Sequence, residues 1–158
     1  MADPDFKFSA PVPLVALAGW LVPGAGYVLI GQMARGVTTG VTILALFVLG
    51  LLIGGMRVID VPGYDDAGQQ RVRGGRWALV ASPVGELAHK PWYVPQILAG
   101  PITLVSGAGS LSLARQGIDP SQARIRDIGT LYTAVAGMLN LMTLLDAAHR
   151  AARKAGAR

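Results

Sequence analysis

The chain has 158 residues, of which 52% are apolar and only 15% charged, well under the roughly 25% charge of an average soluble domain, with a net charge of +5. It has no cysteine, which excludes disulfides, thiolate metal sites and a thiol nucleophile. The fourteen cations are scattered through loops and the C-terminal tail rather than along a face interleaved with aromatics, so no nucleic-acid partner is expected.

Four charge-free stretches organise the sequence: 8–34, 36–56, 91–114 and 128–145. A helix rises about 1.5 Å per residue and a bilayer core is about 30 Å thick, so about 20 residues cross it. Each stretch is long enough, or nearly so. The expected fold is all-α: one membrane domain, 1–158, made of four transmembrane helices as two hairpins, with a cytoplasmic loop of about 35 residues.

The first span is expected over about 11–32. The acids Asp3 and Asp5 precede Lys7, the wrong charge order for a cleaved signal peptide, so the span should be retained. Pro23, Gly24, Ala25 and Gly26 interrupt it, because proline removes a backbone donor and clashes with the preceding turn. A kinked spanning helix is expected, with a re-entrant hairpin as the alternative. A turn around Arg35 leads to the second span, 36–56, which carries Gly36-x-x-x-Gly40 and Gly50-x-x-x-Gly54. Small residues four apart let another helix approach closely.

Residues 57–93 read as the cytoplasmic loop, with Pro62, several glycines and mixed charges. Trp77, Trp92 and Tyr93 stand where headgroup-level aromatic anchors belong. The third span is expected over about 94–114, kinked at Pro101, with a small, polar second half containing Ser106, Gly107, Gly109 and Ser110. Asp119 and Pro120 read as an N-cap followed by a first helical proline, opening a short amphipathic turn over 122–128. The fourth span, about 129–147, runs without a breaker into a basic helical tail, 148–158. There Arg150, Arg153 and Lys154 suit the helix dipole and anionic lipid headgroups or a partner.

For four spans, Lys and Arg divide ten to four, with the ten on the side of both termini and the long loop. The positive-inside bias then places both termini in the cytoplasm of a membrane, expected to be a bacterial inner membrane.

The run Gly19-Trp20-Leu21-Val22-Pro23-Gly24-Ala25-Gly26-Tyr27, followed by Gly31-Gln32 and Arg35-Gly36, resembles the Pro-Gly-x-Gly signature and basic-Gly turn of small bacterial multi-span proteins of an uncharacterised family. The segments from Glu86 through Lys90-Pro91-Trp92 to Pro101, and from Gly129-Thr130-Leu131-Tyr132 to Asp146, are similar to the same group. The resemblance implies a four-span membrane protein and supplies no substrate or catalytic residue.

Chemistry is sparse. Glu86-x-x-His89 and Asp146-x-x-His149 are the only acid–histidine pairs at helical spacing. A carboxylate-bridged two-metal bundle also needs acids from two further helices, and the other expected spans have none, so neither a metal nor another cofactor is expected. No Gly-x-Ser-x-Gly elbow is present, and Gly107-Ala108-Gly109-Ser110 lacks the lysine of a phosphate-binding loop. Asn140, near the middle of the fourth span, is read as interhelical hydrogen-bond glue, beside the packing glycines Gly24, Gly26, Gly36, Gly40, Gly50, Gly54, Gly107 and Gly109. The expected role is a non-catalytic structural or accessory subunit, self-associated or joined to other membrane subunits. A small channel or transporter using the broken first and polar third helices is the alternative, and a metal-dependent membrane enzyme the least favoured.

Overall fold

A computed structural model describes residues 10–65, 67–69 and 90–156. Glu86, His89 and Trp77 lie outside the described residues. Among those described, the regular structure is helical: α1 (Val12–Leu21), α2 (Ala25–Leu29), α3 (Met33–Gly54), a 3-10 turn (Met56–Val58), α4 (Tyr93–Ile97), α5 (Pro101–Arg115) and α6 (Ala123–Gly156).

Two helices are continuous. α3 has 22 residues and a mean hydropathy of 2.3 over its most apolar stretch, and a long apolar stretch also runs through α6. Both are long and apolar enough to cross a membrane. They pack antiparallel, and their interface is the largest between any two helices. A methyl group on Gly50 would stand 2.7 Å from the Thr133 side chain and 2.8 Å from the Gly129 carbonyl, while Gly54 lies against Gly129 and the Ile125 carbonyl. Partner numbers fall as α3 numbers rise, which fixes the antiparallel sense. The Gly50/Gly54 pair on α3 thus meets Gly129 on α6, so the backbones approach without side chains between them.

The other two apolar segments are not continuous helices. Each is a helical hairpin that turns back near the middle of the bundle. α1 runs inward along α6 from Ala10, which packs with Ala151, to Gly19, whose carbonyl reaches Asn140. The chain reverses at Val22–Gly24, and α2 carries it back, with Gly26 against Ala147 and Ile30 beside Lys154. The second hairpin enters from the opposite end. Lys90 starts beside Asp60, Gln96 reaches Thr133, and the Leu98 carbonyl reaches Asn140. α5 then returns, Ser110 donating to the Ile59 carbonyl and Gly68 lying against Ala114.

Two helices rather than four are candidate membrane crossings among the described residues, for a physical reason. Pro23-Gly24 and Gly100-Pro101 do more than kink a helix: Gly24 and Gly100 adopt φ of +85° and +99°, a left-handed region open to glycine, and the chain reverses there. α1, with 10 residues, is about 15 Å long, half a bilayer. A further consequence is that the C-terminal end of α6 lies at the end of the bundle where α3 begins, opposite Gly54 and Asp60.

The start of α6 also differs. Asp119 and Pro120 precede the helix without opening it; α6 begins at Ala123 and absorbs the expected amphipathic turn. Ser121 instead closes the end of α3, its hydroxyl donating to the Gly54 carbonyl at 2.7 Å.

Many large apolar side chains lie on the surface, while a layer of polar ones is buried. Leu52 is 75% exposed and Val105 69%, whereas Gln96, Thr103, Thr133 and Asn140 are fully buried. Two apolar clusters flank this polar layer. One, near the N-terminus of α1, contains Val15, Tyr27 and Ala147; the other contains Ile43, Phe47, Val58 and Ala136.

Candidate functional site

The two hairpin tips meet at the middle of the bundle, and each proline explains part of the chemistry there. Pro23 has no N–H, so the Gly19 carbonyl four residues earlier lacks its helical donor. The Asn140 side-chain nitrogen supplies one at 3.2 Å and donates also to the Leu98 carbonyl at 2.9 Å. Since both neighbours are carbonyl oxygens, the amide group must face them with its nitrogen. Pro101 similarly withholds a donor from the Ile97 carbonyl. The Trp20 indole N–H donates to that oxygen at 3.1 Å, alongside the Gly100 N–H. Each tip is therefore completed by a side chain from elsewhere in the fold.

Close backbone approach locks the junction. Gly100 lies directly against the Trp20 carbonyl, and Gly137 of α6 directly against the Pro95 carbonyl. A methyl group on Gly40 would stand 2.5 Å from the Pro23 carbonyl, and one on Gly36 2.8 Å from the Gly24 carbonyl. The glycines of α3 thus serve two surfaces: Gly36 and Gly40 receive the first hairpin tip, and Gly50 and Gly54 receive α6. Gly24 packs against Gly36, and Gly26 against Val15 and Ala147. Gly107 and Gly109, expected between helices, instead accommodate Ile59, Val61 and Met56 from the segment after α3.

Below the second tip, Gln96 ties three elements together. Its amide nitrogen donates to the Val58 carbonyl at 3.1 Å and to the Thr133 hydroxyl at 2.9 Å, and its own carbonyl accepts from the Thr103 hydroxyl at 2.6 Å. Its side-chain oxygen is buried without a hydrogen-bond partner.

At the end of the bundle holding Gly54, Asp60 binds Arg126 at 2.7 Å and faces Lys90 at 3.7 Å. Beside them opens a cavity of about 540 Å³, lined by Asp60, Trp92, Arg126, Asp127, Thr130 and Leu131. Trp92 is half exposed here, while Tyr93 is drawn partly into the apolar cluster around Phe47.

At the opposite end Asp146 accepts from the Tyr27 hydroxyl and from Arg150, both at 2.6 Å. The carboxylate therefore points to these two partners, while His149 is exposed. No cluster of three metal-ligating side chains occurs among the described residues. Lys154 donates to the Ile30 carbonyl at 2.8 Å, closing the end of α2, and Arg153 is exposed. The basic tail is thus partly engaged inside the fold.

Of the residues singled out in the sequence, the structure brings together Gly24, Gly36, Gly40 and Asn140 at the junction. It adds Trp20, Gln96, Leu98, Gly100, Gly129, Thr133 and Gly137. The proline register signals two acceptors, the Gly19 carbonyl before Pro23 and the Ile97 carbonyl before Pro101, and through the latter the role of Trp20; nothing local in the sequence signals Gln96, Leu98, Gly129, Thr133 or Gly137.

No curated protein and no solved structure matches this chain. Residues 14–158 match a family of unknown function, DUF6677. The chain belongs to the DUF6677 family.

Proposed function

We propose that this chain is a small integral membrane transport protein, in which α3 and α6 cross the bilayer and two re-entrant hairpins enter it from opposite faces. The observation that carries the reading is the meeting of two interrupted hairpins at Asn140. The order hairpin, long helix, hairpin, long helix makes two halves of inverted orientation. Transporters place substrate sites at the midplane where such repeats join, using discontinuous helices. Non-helical backbone at membrane depth is tolerated only where protein buries it or a cavity is lined by it, and here Asn140 and Trp20 cover it.

The junction presents carbonyl and amide groups, with no charged side chain among the described residues that contact Asn140. That chemistry suits a small neutral hydrogen-bonding solute or a monovalent ion better than a multivalent one. The aliphatic exterior, led by Val41, Leu52 and Val105, is the lipid-facing surface. The transport cycle would separate the hairpin tips. An Ala99→Cys variant tests this, since Ala99 is buried at the second tip and the chain has no other cysteine. Slow labelling by an aqueous maleimide, together with passage of glycerol, urea or alkali cations into liposomes, is expected. An unreactive Ala99→Cys and liposomes tight to every solute would refute transport.

A second reading, a non-catalytic accessory subunit, is favoured by one specific observation: the junction's main carbonyls are satisfied internally and its glycines are packed against backbone. A rigid insert of that kind needs no opening step and would hand its aliphatic exterior to neighbouring subunits. Stoichiometric co-purification of a partner in mild detergent would support it.

A further inference from the structure

The cavity of about 540 Å³ at the end of the bundle holding Gly54 has walls of both charge signs. Arg126 and Asp127 stand side by side on α6, with Thr130 and Leu131 one turn on, while Trp92 and Asp60 line it from outside α6. The Asp60 carboxylate is engaged by Arg126 and Lys90, and its side chain is only 19% exposed. Asp127 differs: it is exposed, and among the described residues no hydrogen bond or ion pair engages its carboxylate. A guanidinium suits phosphate oxygens, and an indole face attracts a cation. Together with the Asp127 carboxylate they complement a ligand that carries a phosphate and an ammonium at once.

An apolar track leaves the cavity. Leu131, Val135, Met138 and Met142 recur at spacings of four, three and four, so they share one face of α6, and each is between 39% and 66% exposed. We infer that the cavity binds one phospholipid with a zwitterionic, primary-ammonium headgroup, the chemistry of phosphatidylethanolamine. The phosphate sits at Arg126, the ammonium between Asp127 and the Trp92 ring, and an acyl chain lies along the track over 131–142. A carboxylate with a single aromatic ring favours an ammonium that donates hydrogen bonds; a quaternary ammonium has no N–H and is held by cages of several rings. An anionic headgroup would bring further negative charge against Asp60 and Asp127. The site needs a membrane around α3 and α6 but no passage of solute, so it goes beyond the transport reading.

The full chain, purified in detergent, is titrated with single phospholipids, and bound lipid is read by native mass spectrometry. One phosphatidylethanolamine per chain is expected, held about fivefold more tightly than phosphatidylcholine or phosphatidylglycerol, the size of one exposed ion pair. Asp127→Asn should erase that preference and Asp127→Glu keep it; the position is exposed, so neither should unfold the chain. Trp92→Leu, at a half-exposed position, should weaken phosphatidylethanolamine binding by a similar factor. A wild-type chain that takes the three lipids alike, or an Asp127→Asn chain that retains the preference, would overturn the inference. Glycerophosphoethanolamine carries the same headgroup without acyl chains. If it displaces the lipid at equal concentration, the cavity takes a soluble zwitterion and the lipid assignment falls. No flux is measured, so every one of these outcomes leaves the transport reading where it stood.

Discussion

Replacing Asn140 with leucine keeps the branch at Cγ and the number of side-chain heavy atoms, but deletes the donor shared by the Gly19 and Leu98 carbonyls. Both bonds have good length, 3.2 and 2.9 Å, and the side chain is fully buried. Interhelical hydrogen bonds in membrane proteins average about 0.6 kcal/mol and reach about 1.7, so two of them set a lower range of about 1–3 kcal/mol. An acceptor left buried without a donor costs about 1–3 kcal/mol, which for two gives an upper limit near 6. The carbonyls here gain no water on mutation, since both tips stay packed, so we place the loss in the middle of that upper range, at about 4 kcal/mol, or about a thousandfold in the folding equilibrium. Reversible unfolding in mixed detergent and SDS micelles, followed by circular dichroism, measures it. Thr143→Val is the control: its hydroxyl donates to the Asn140 carbonyl on its own helix at 2.8 Å, and its loss should cost less than about 0.5 kcal/mol. If Asn140→Leu unfolds at the wild-type SDS fraction, the two tips are not held by this side chain and the proline argument fails.

Other substitutions probe the remaining contacts. Trp20→Phe keeps an aromatic ring but removes the indole donor; because the Gly100 N–H still serves Ile97, the same unfolding assay should show a loss of only about 1 kcal/mol. Gly137→Leu drives a side chain into the Pro95 backbone and should undock the second hairpin, costing more than about 3 kcal/mol and exposing residues 98–100 to proteolysis. Gly40→Leu should do the same to the first hairpin through the Pro23 carbonyl, whereas Gly117→Leu, in open space, should lose stability only through its positive φ. Asp60→Asn leaves Arg126 and Lys90, each about a quarter exposed or less, without their shared carboxylate; a loss of about 1–3 kcal/mol that shrinks at high salt is expected in thermal unfolding.

Some of this architecture is visible in the residues alone. The second and fourth apolar stretches, 36–56 and 128–145, are uninterrupted by proline, and both became continuous helices, α3 and α6. Gly36 and Gly40 lie against the first hairpin tip, and Gly50 and Gly54 against α6. The first and third stretches contain the same apolar content but also Pro23-Gly24 and Gly100-Pro101, and composition does not separate a kink from a reversal. A kinked spanning helix and a re-entrant hairpin share length, hydropathy and breaker residues. They differ in where the two ends of the segment dock, and that is a property of contacts far apart in the chain, such as Tyr27 with Asp146 or Ser110 with Ile59. The glycines at 107 and 109 show the same limit: their spacing signalled close approach, but the partners are Ile59, Val61 and Met56 of the segment after α3 rather than another long helix.

The sequence by itself determined that this is a helical chain with long apolar segments, breaks at two fixed places, an uncharged middle and a buried amide at Asn140. Local chemistry suffices for each, since hydropathy, missing proline donors and the lack of a glycine side chain are properties of a few neighbouring residues. The tertiary structure decided that the breaks are tips, that they face one another from opposite ends, and that Asn140 and Trp20 supply the donors the prolines withhold. Those outcomes depend on which distant carbonyl each donor finds. In a medium without water an orphaned backbone group has no other recourse, so the global packing, rather than the local sequence, chooses between a kinked span and a reversed hairpin.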